Sequence, residues 1–72
     1  MPYYELIVSG EADIDAGAIE SETGLRCTLL DTTARLDGEL VDRAAFHGAI
    51  ERIFRLGLEL QAVERRSVRH GT

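Results

Sequence analysis

The chain has no lysine, no asparagine and no tryptophan, and a single cysteine among its 72 residues. One cysteine cannot form an internal disulfide, and one cysteine with two histidines supplies too few ligands for a dedicated zinc site. No apolar run approaches the ~20 residues that span a bilayer, and no basic segment precedes an apolar run at the N-terminus. These absences predict a cytoplasmic protein with no cofactor, no metal and no membrane contact.

The charge of the chain is acidic and unevenly distributed. A net charge of −5 disfavours nucleic acid as a partner and suggests that any different protein partner is basic. Residues 1–42 carry ten acidic and two basic residues, whereas residues 43–72 carry three acidic and six basic ones. Two interpretations remain open: the halves interdigitate and neutralise each other in the fold, or they form patches that meet on a second molecule.

The length permits one domain, which we place at residues 1–66 with a flexible basic tail at 67–72. A domain of this size buries only about 60% of the surface that its unfolded chain exposes. Apolar alternation, helical periodicity and turn residues predict the order of elements. The predicted elements are a strand over 3–10, a short helix within 11–22, a hairpin over 25–40, a longer helix between Asp42 and Gly57 and a strand over 58–64.

This order predicts an α+β fold of the ferredoxin-like, split βαββαβ type. Four antiparallel strands form one sheet, the first and third strands are central, and both helices cover the same face. Asp13 and Asp15 are alternative N-caps of the first helix, and Gly24 is its expected end. Asp42 is the expected N-cap of the second helix, and Gly57 is its expected left-handed terminus.

The second helix has the clearest pattern in the chain. Its apolar residues recur at helical spacing, which predicts a stripe that faces the core. The stripe consists of Phe46, Ala49, Ile50, Ile53 and Phe54. In the last strand, alternation predicts that Leu58, Leu60 and Ala62 point inward and that Glu59, Gln61 and Val63 point outward.

The uncovered face of the sheet is predicted to hold apolar residues among charged ones. The expected interface residues are Tyr3, Ile7, Leu30, Val41 and Val63. Exposed apolar patches mark contact sites, and an edge strand offers unpaired backbone groups. The sequence therefore predicts a homodimer that forms through the open face or through an edge strand.

Two side chains are candidates for chemistry. Cys27 lies on a predicted strand among apolar residues, which favours packing over nucleophilic catalysis. His47 flanks the apolar stripe of the second helix, one turn before Glu51, and is either a boundary residue or an acid–base group. No spacing in the chain matches a known catalytic constellation, so we expect a non-catalytic module.

Two short segments resemble known families. Met1-Pro2 before a strand is similar to the start of the tautomerases, in which loss of methionine exposes a proline that acts as general base. The segment Ser9-Gly10-Glu11-Ala12-Asp13 resembles the loop where ACT domains bind amino acids at a dimer interface. The second resemblance implies a regulatory domain that binds a small molecule. Its candidate ligand-binding residues are Gly10 and Asp13, with His47 as a third candidate.

The second half of the chain resembles a group of short uncharacterised proteins from high-GC bacteria. The matching positions are Gly38, Val41-Asp42, Ala44-Ala45-Phe46-His47-Gly48, Ile53, Leu56-Gly57-Leu58-Glu59-Leu60 and Val63. This resemblance implies a shared helix–strand unit in a small ferredoxin-like domain, and it implies no activity.

Overall fold

The computed structural model describes residues 2–10 and 14–66. Within these ranges the chain forms four strands and two helices in the predicted order. They are β1 (Tyr3–Ser9), α1 (Ala16–Thr23), β2 (Arg26–Leu29), β3 (Thr33–Glu39), α2 (Arg43–Arg55) and β4 (Glu59–Arg66). The predicted tail at 67–72 lies outside the described residues.

The four strands form one antiparallel sheet in the order β2-β3-β1-β4. β1 and β3 are central, and β2 and β4 are the two edges, as the split βαββαβ pattern predicts. The fold is therefore α+β and ferredoxin-like, with one face of the sheet under the helices and the other open.

The core lies between the sheet and the helices. Alternation along β1 and β3 sends every second side chain into it, so that Leu6, Val8 and Leu36 are fully buried. The remaining buried apolar residues are Ile19, Leu25, Ala34, Leu40, Ala49, Ile53 and Leu58. Burial of each large aliphatic side chain contributes about 1.5–3 kcal/mol, which offsets the conformational entropy that folding removes.

Short-range capping fixes the ends of α1. The Asp15 carboxylate accepts from the backbone N–H of Ala18 at 3.1 Å, so Asp15 is the N-cap. The alternative cap, Asp13, lies outside the described residues. Gly24 adopts a φ of 74° and donates its N–H to the Glu20 carbonyl, which ends the helix as the sequence predicts.

α2 begins and ends where the sequence predicts, but its apolar stripe is narrower. The Asp42 carboxylate accepts from the N–H of Ala45 at 2.8 Å, and Gly57 follows the last turn with a φ of 78°. Ala49 and Ile53 are buried, whereas Phe54 is 55% exposed. The prediction that Phe54 faces the core is therefore wrong, because the sheet and α1 cover only part of the helix.

A β-bulge changes the faces of β4. Residue Ile7 pairs with Ala62, but the next residue, Val8, pairs with Leu60, so Gln61 is the extra residue. Beyond the bulge, Val63 pairs with the core residue Leu6 and lies on the helix side of the sheet. The prediction that Ala62 points inward and Val63 outward is wrong, because one extra residue reverses the alternation.

Two boundaries also differ from the sequence prediction. β3 ends at Glu39, so Val41 lies in the loop before α2 and not on the sheet face. β4 extends beyond residue 64, the predicted end of this strand, because Arg65 and Arg66 pair with Tyr4 and Tyr3. Both arginines are exposed, so pairing with β1 continues without burial of their charges.

Candidate interaction surfaces

The open face of the sheet is a network of paired polar groups. The Tyr3 hydroxyl donates to Asp37 on the neighbouring strand. Arg66 lies 3.1 Å from a Glu5 carboxylate oxygen and 2.8 Å from a Glu64 oxygen, and Arg35 lies 3.9 Å from Glu5. These contacts join residues of β1, β3 and β4, so the face satisfies much of its charge without a partner.

The network shifts the pKa values of two of its members, Tyr3 and Arg66. The pKa of the Tyr3 hydroxyl is raised above its ordinary value of 10.0, chiefly by the hydrogen bond to Asp37 and next by partial desolvation. The pKa of Arg66 is also raised, first by its hydrogen bond to Glu64 and then by the charge of Glu5. Both shifts mean that the network stabilises the protonated forms of the two side chains.

The predicted interface residues do not form one patch. Tyr3 and Ile7 lie on the open face, and Leu30 follows β2 at the margin of that face. Val63 lies on the opposite side of the sheet, and Val41 is an exposed loop residue. The apolar part of the open face is therefore smaller than the sequence predicts.

The β2 edge is short and partly blocked. A Glu20 carboxylate oxygen accepts from the backbone N–H of Cys27 at 2.9 Å, so α1 occupies a donor of this edge. The Cys27 thiol is partly buried, and burial followed by the charge of Glu20 raises its pKa above 9.0. A raised pKa lowers thiolate content, which favours the packing role predicted for Cys27.

The β4 edge is twice as long as the β2 edge, with eight residues against four. Among residues 2–10 and 14–66, no strand pairs with its outer side. Val63, in the middle of this strand, is 43% exposed although it lies opposite the fully buried Leu6. In the part of the chain that the structure describes, β4 therefore combines an unpaired backbone edge with an exposed β-branched side chain.

An apolar groove runs along the flank of α2 on the same side of the sheet as Val63. This feature, called here the α2 groove, has a volume of about 320 Å³. It is lined by Phe46, His47, Ile50, Glu51 and Phe54. The Phe46 ring stacks on Tyr4 with centroids 4.6 Å apart, which fixes one wall of the groove against β1.

The candidate ligand-binding residues are not brought together. His47 packs edge-on against Phe46, whose ring lies over Tyr4 near the start of β1. Gly10 follows the other end of that strand, about 20 Å away at 3.3 Å per residue. Asp13 lies outside the described residues. Gly10 and His47 therefore do not line one pocket.

Pro2 has a structural contact at the start of the sheet. Its carbonyl accepts from the backbone N–H of Leu40 at 3.2 Å, which extends the pairing between β1 and β3 by one step. The described part of the chain brings together no group of three or more histidine, cysteine, aspartate or glutamate side chains suited to hold a metal ion. No helix in that part is long and apolar enough to cross a membrane.

Two functional features were missed at the level of sequence. The adjacent apolar residues Ala62 and Val63 interrupt a clean alternation, which is a signal for a bulge in β4. The exposure of Phe54, one of the residues that line the α2 groove, has no such signal, because its spacing from Phe46 is that of an ordinary core-facing stripe.

A family model described as a domain of unknown function, DUF8691, matches residues 3–64. The matched region begins with β1 and ends within β4, so it includes both edges and both helices. No curated protein and no solved structure gives a significant match.

Proposed function

We propose that this chain, which belongs to the DUF8691 family, is a small non-catalytic interaction module that forms a homodimer through β4. Two β4 strands pair in antiparallel orientation across a two-fold axis and join two four-stranded sheets into one. The observation that carries the proposal is the eight-residue edge of β4, which no strand of the described residues pairs, with exposed Val63 at its middle. An unpaired edge is a template for another strand, and a second copy supplies a strand of matching length.

The side-chain faces of β4 permit this pairing when the two-fold axis passes through Val63. The two Val63 side chains are then opposite each other, and Ala62 is opposite Glu64. The bulged Gln61 is skipped, so Leu60 meets Arg65 and Glu59 meets Arg66. In each pair both residues lie on the same side of the sheet, as their pairing with β1 requires.

Charge along β4 also favours a second copy. When the two-fold axis passes through Val63, an acidic Glu59 lies opposite a basic Arg66 at each end of the seam, the line where the two β4 strands meet. No like charges are directly opposite. On the open face, Glu5 and Glu64 already pair with Arg66, which weakens the case for a basic partner beside β4. A small domain also gains more than a large one from the apolar area that a dimer buries.

The test compares matched substitutions on the two edges. Val63→Glu and Leu29→Glu each place a carboxylate at an exposed apolar position on the helix side of an edge strand. We expect Val63→Glu to weaken the dimer by more than about tenfold in Kd, because two carboxylates meet at the axis. Leu29→Glu is expected to leave the Kd unchanged. Light scattering during size-exclusion chromatography, over a dilution series from high to low micromolar, measures both.

Two results would overturn the proposal. One is a wild-type mass of 7.9 kDa, that of one chain, at every concentration. The other is an equal effect of the two substitutions on the dimer. Circular dichroism on each variant checks that the fold is retained, which is expected because both side chains are exposed in the single chain.

A further inference from the structure

We propose that the α2 groove is the second half of the same interface and that Phe54 of a second copy fills it. This inference rests on the proposed function, since it takes the β4–β4 pairing as given. It adds a partner residue to a groove that each chain leaves incomplete, because in one chain the groove is open and Phe54 is 55% exposed on its rim.

The position of α2 over the sheet sets the distance between the two helices. α2 packs against β4, and Phe46 stacks on Tyr4 of β1, so the helix lies over these two strands. Neighbouring strands are about 4.8 Å apart, which places the α2 axis roughly 5 Å from the seam. The two helices are then about 10 Å apart, close to the 8–10 Å at which packed helices touch.

The level of the two-fold axis along α2 follows from the strand register. Phe46 lies over Tyr4, which is opposite Arg65 in β4. Val63 is two residues away, about 7 Å, which corresponds to little more than one helical turn toward Ile50. An axis through Val63 therefore passes close to Ile50.

The α2 groove is self-complementary about this level. Phe46 and Phe54 lie four residues before and after Ile50, so a two-fold axis exchanges their positions along antiparallel helices. Phe54 of one copy then meets Phe46 and His47 of the other. Aromatic side chains that enter a partner's pocket dominate the energy of many interfaces.

The area that a stable dimer needs supports the same arrangement. A specific interface buries about 800 Å² per partner, and one pair of edge strands contributes mainly backbone contacts. The groove adds apolar side chains directly beside the seam. Glu51 lies 3.4 Å from Arg55 on the outer rim, so charged groups surround the apolar centre instead of entering it.

A tryptophan probe tests whether Phe54 is buried in the dimer. The chain has no tryptophan, so Phe54→Trp provides a single emission signal. We expect the emission to shift to the blue as concentration rises, with the midpoint at the Kd from light scattering. The double variant Phe54→Trp with Val63→Glu is expected to keep the emission of a solvated indole at all concentrations.

A truncation on each flank of α2 gives an independent measurement. Phe54→Ala is expected to raise the dimer Kd about tenfold or more, as truncation of an aromatic anchor does. The matched control is Leu56→Ala, because Leu56 is exposed on the opposite flank, where it faces α1 residues Ile14 and Ile19. This control is expected to leave the Kd unchanged.

The outcomes separate the two proposals. A dimer that depends on Val63 but shows a solvated Phe54→Trp probe, or an unchanged Kd for Phe54→Ala, overturns the groove assignment and leaves the β4 interface standing. A protein that is monomeric throughout overturns both. Equal effects of Phe54→Ala and Leu56→Ala would also contradict the groove assignment, since only one of these flanks faces the seam.

Discussion

The two outer strands, β2 and β4, each expose an apolar residue opposite a fully buried one, but they present different backbone edges. Leu29 pairs with Ala34 and is 55% exposed, and Val63 pairs with Leu6 and is 43% exposed. β2 has four residues, and the backbone N–H of Cys27 donates a hydrogen bond to the Glu20 side chain. β4 has eight residues, and no helix side chain of the described residues accepts from its backbone. Exposed apolar area alone would favour β2, so backbone availability separates the two edges.

Proteins protect sheet edges in recognised ways, and β2 uses two of them. Its strand is short, and the helix beside it supplies an acceptor for an edge donor. β4 uses a bulge and three charged residues near its end, Glu64, Arg65 and Arg66. Charges oppose random aggregation, but they permit a partner strand whose charges are arranged in the complementary order.

The largest expected change in stability comes from a larger side chain placed against the start of β2. A Cβ added at Gly38 would lie 3.0 Å from Cδ2 of Leu25, the buried residue just before β2. We expect Gly38→Val to lower the free energy of unfolding by about 1–3 kcal/mol, because overpacking forces Leu25 and β2 to shift. Urea denaturation measures the loss.

The control for this substitution is Gly17→Ala, at an exposed position of α1. There an added Cβ lies an ordinary 3.5 Å from the Asp15 carboxylate. Alanine in place of a helical glycine is expected to stabilise the protein by about 0.5–1 kcal/mol. A Gly38→Val variant as stable as the wild type would show that the Leu25 side chain moves aside without cost, contrary to this prediction.

A smaller effect is expected from opening the β2 edge. Glu20→Ala removes the acceptor of the Cys27 N–H, at an expected cost of about 1 kcal/mol in the free energy of unfolding. The exposed Glu22 on the same helix provides the control Glu22→Ala. Faster hydrogen exchange at the Cys27 amide in the first variant alone would identify the edge bond as the cause.

The same variant changes the thiol of Cys27 in a known direction. The charge of Glu20 is the second cause, after burial, of the raised pKa of this thiol. Removal of the carboxylate is expected to bring the pKa back toward 9.0, so alkylation by iodoacetamide begins at lower pH. An unchanged pH profile would indicate that the Glu20 side chain is elsewhere in solution.

The smallest expected change in stability comes from Tyr3, on the open face between the two edges. The raised pKa of Tyr3 means that the fold favours the protonated hydroxyl. Its contribution to stability is present below pH 10 and is lost as pH rises through the raised pKa. Tyr3→Phe removes this dependence, so the stability difference between wild type and variant should shrink above pH 10.

Denaturation at several pH values from neutral to alkaline measures the Tyr3 effect. A constant difference between the two proteins across this range would contradict the role of the Asp37 hydrogen bond. The dimer Kd is expected to be the same for both proteins at neutral pH, because Tyr3 is on the side of the sheet away from the α2 groove.

Local signals determined most of the fold in advance. Asp15, Gly24, Asp42 and Gly57 act on neighbouring backbone groups, so their roles depend on residues at most four positions away. Alternation in β1 and β3 is regular because both strands are central and one face is buried. The order of these elements then leaves the ferredoxin-like topology as the natural arrangement.

The candidate surfaces were less predictable because they depend on contacts between distant residues. Tyr3 meets Asp37 only through the β1–β3 register, and Glu20 meets Cys27 only once α1 packs beside β2. Val63 is on the helix side because of how β4 pairs with β1. The exposure of Phe54 depends on how far the sheet extends beneath α2.

The single extra residue in β4 has a consequence for insertions and deletions. Deleting Gln61 would remove the bulge but leave Leu60 opposite Val8 and Ala62 opposite Ile7, so the residues that follow would keep their sides of the sheet. Pairing all eight residues of β4 without a bulge would instead move Val63 to the polar face and Glu64 to the helix side. At its present length, β4 therefore keeps Val63 beside the α2 groove only because one of its residues stays out of the pairing.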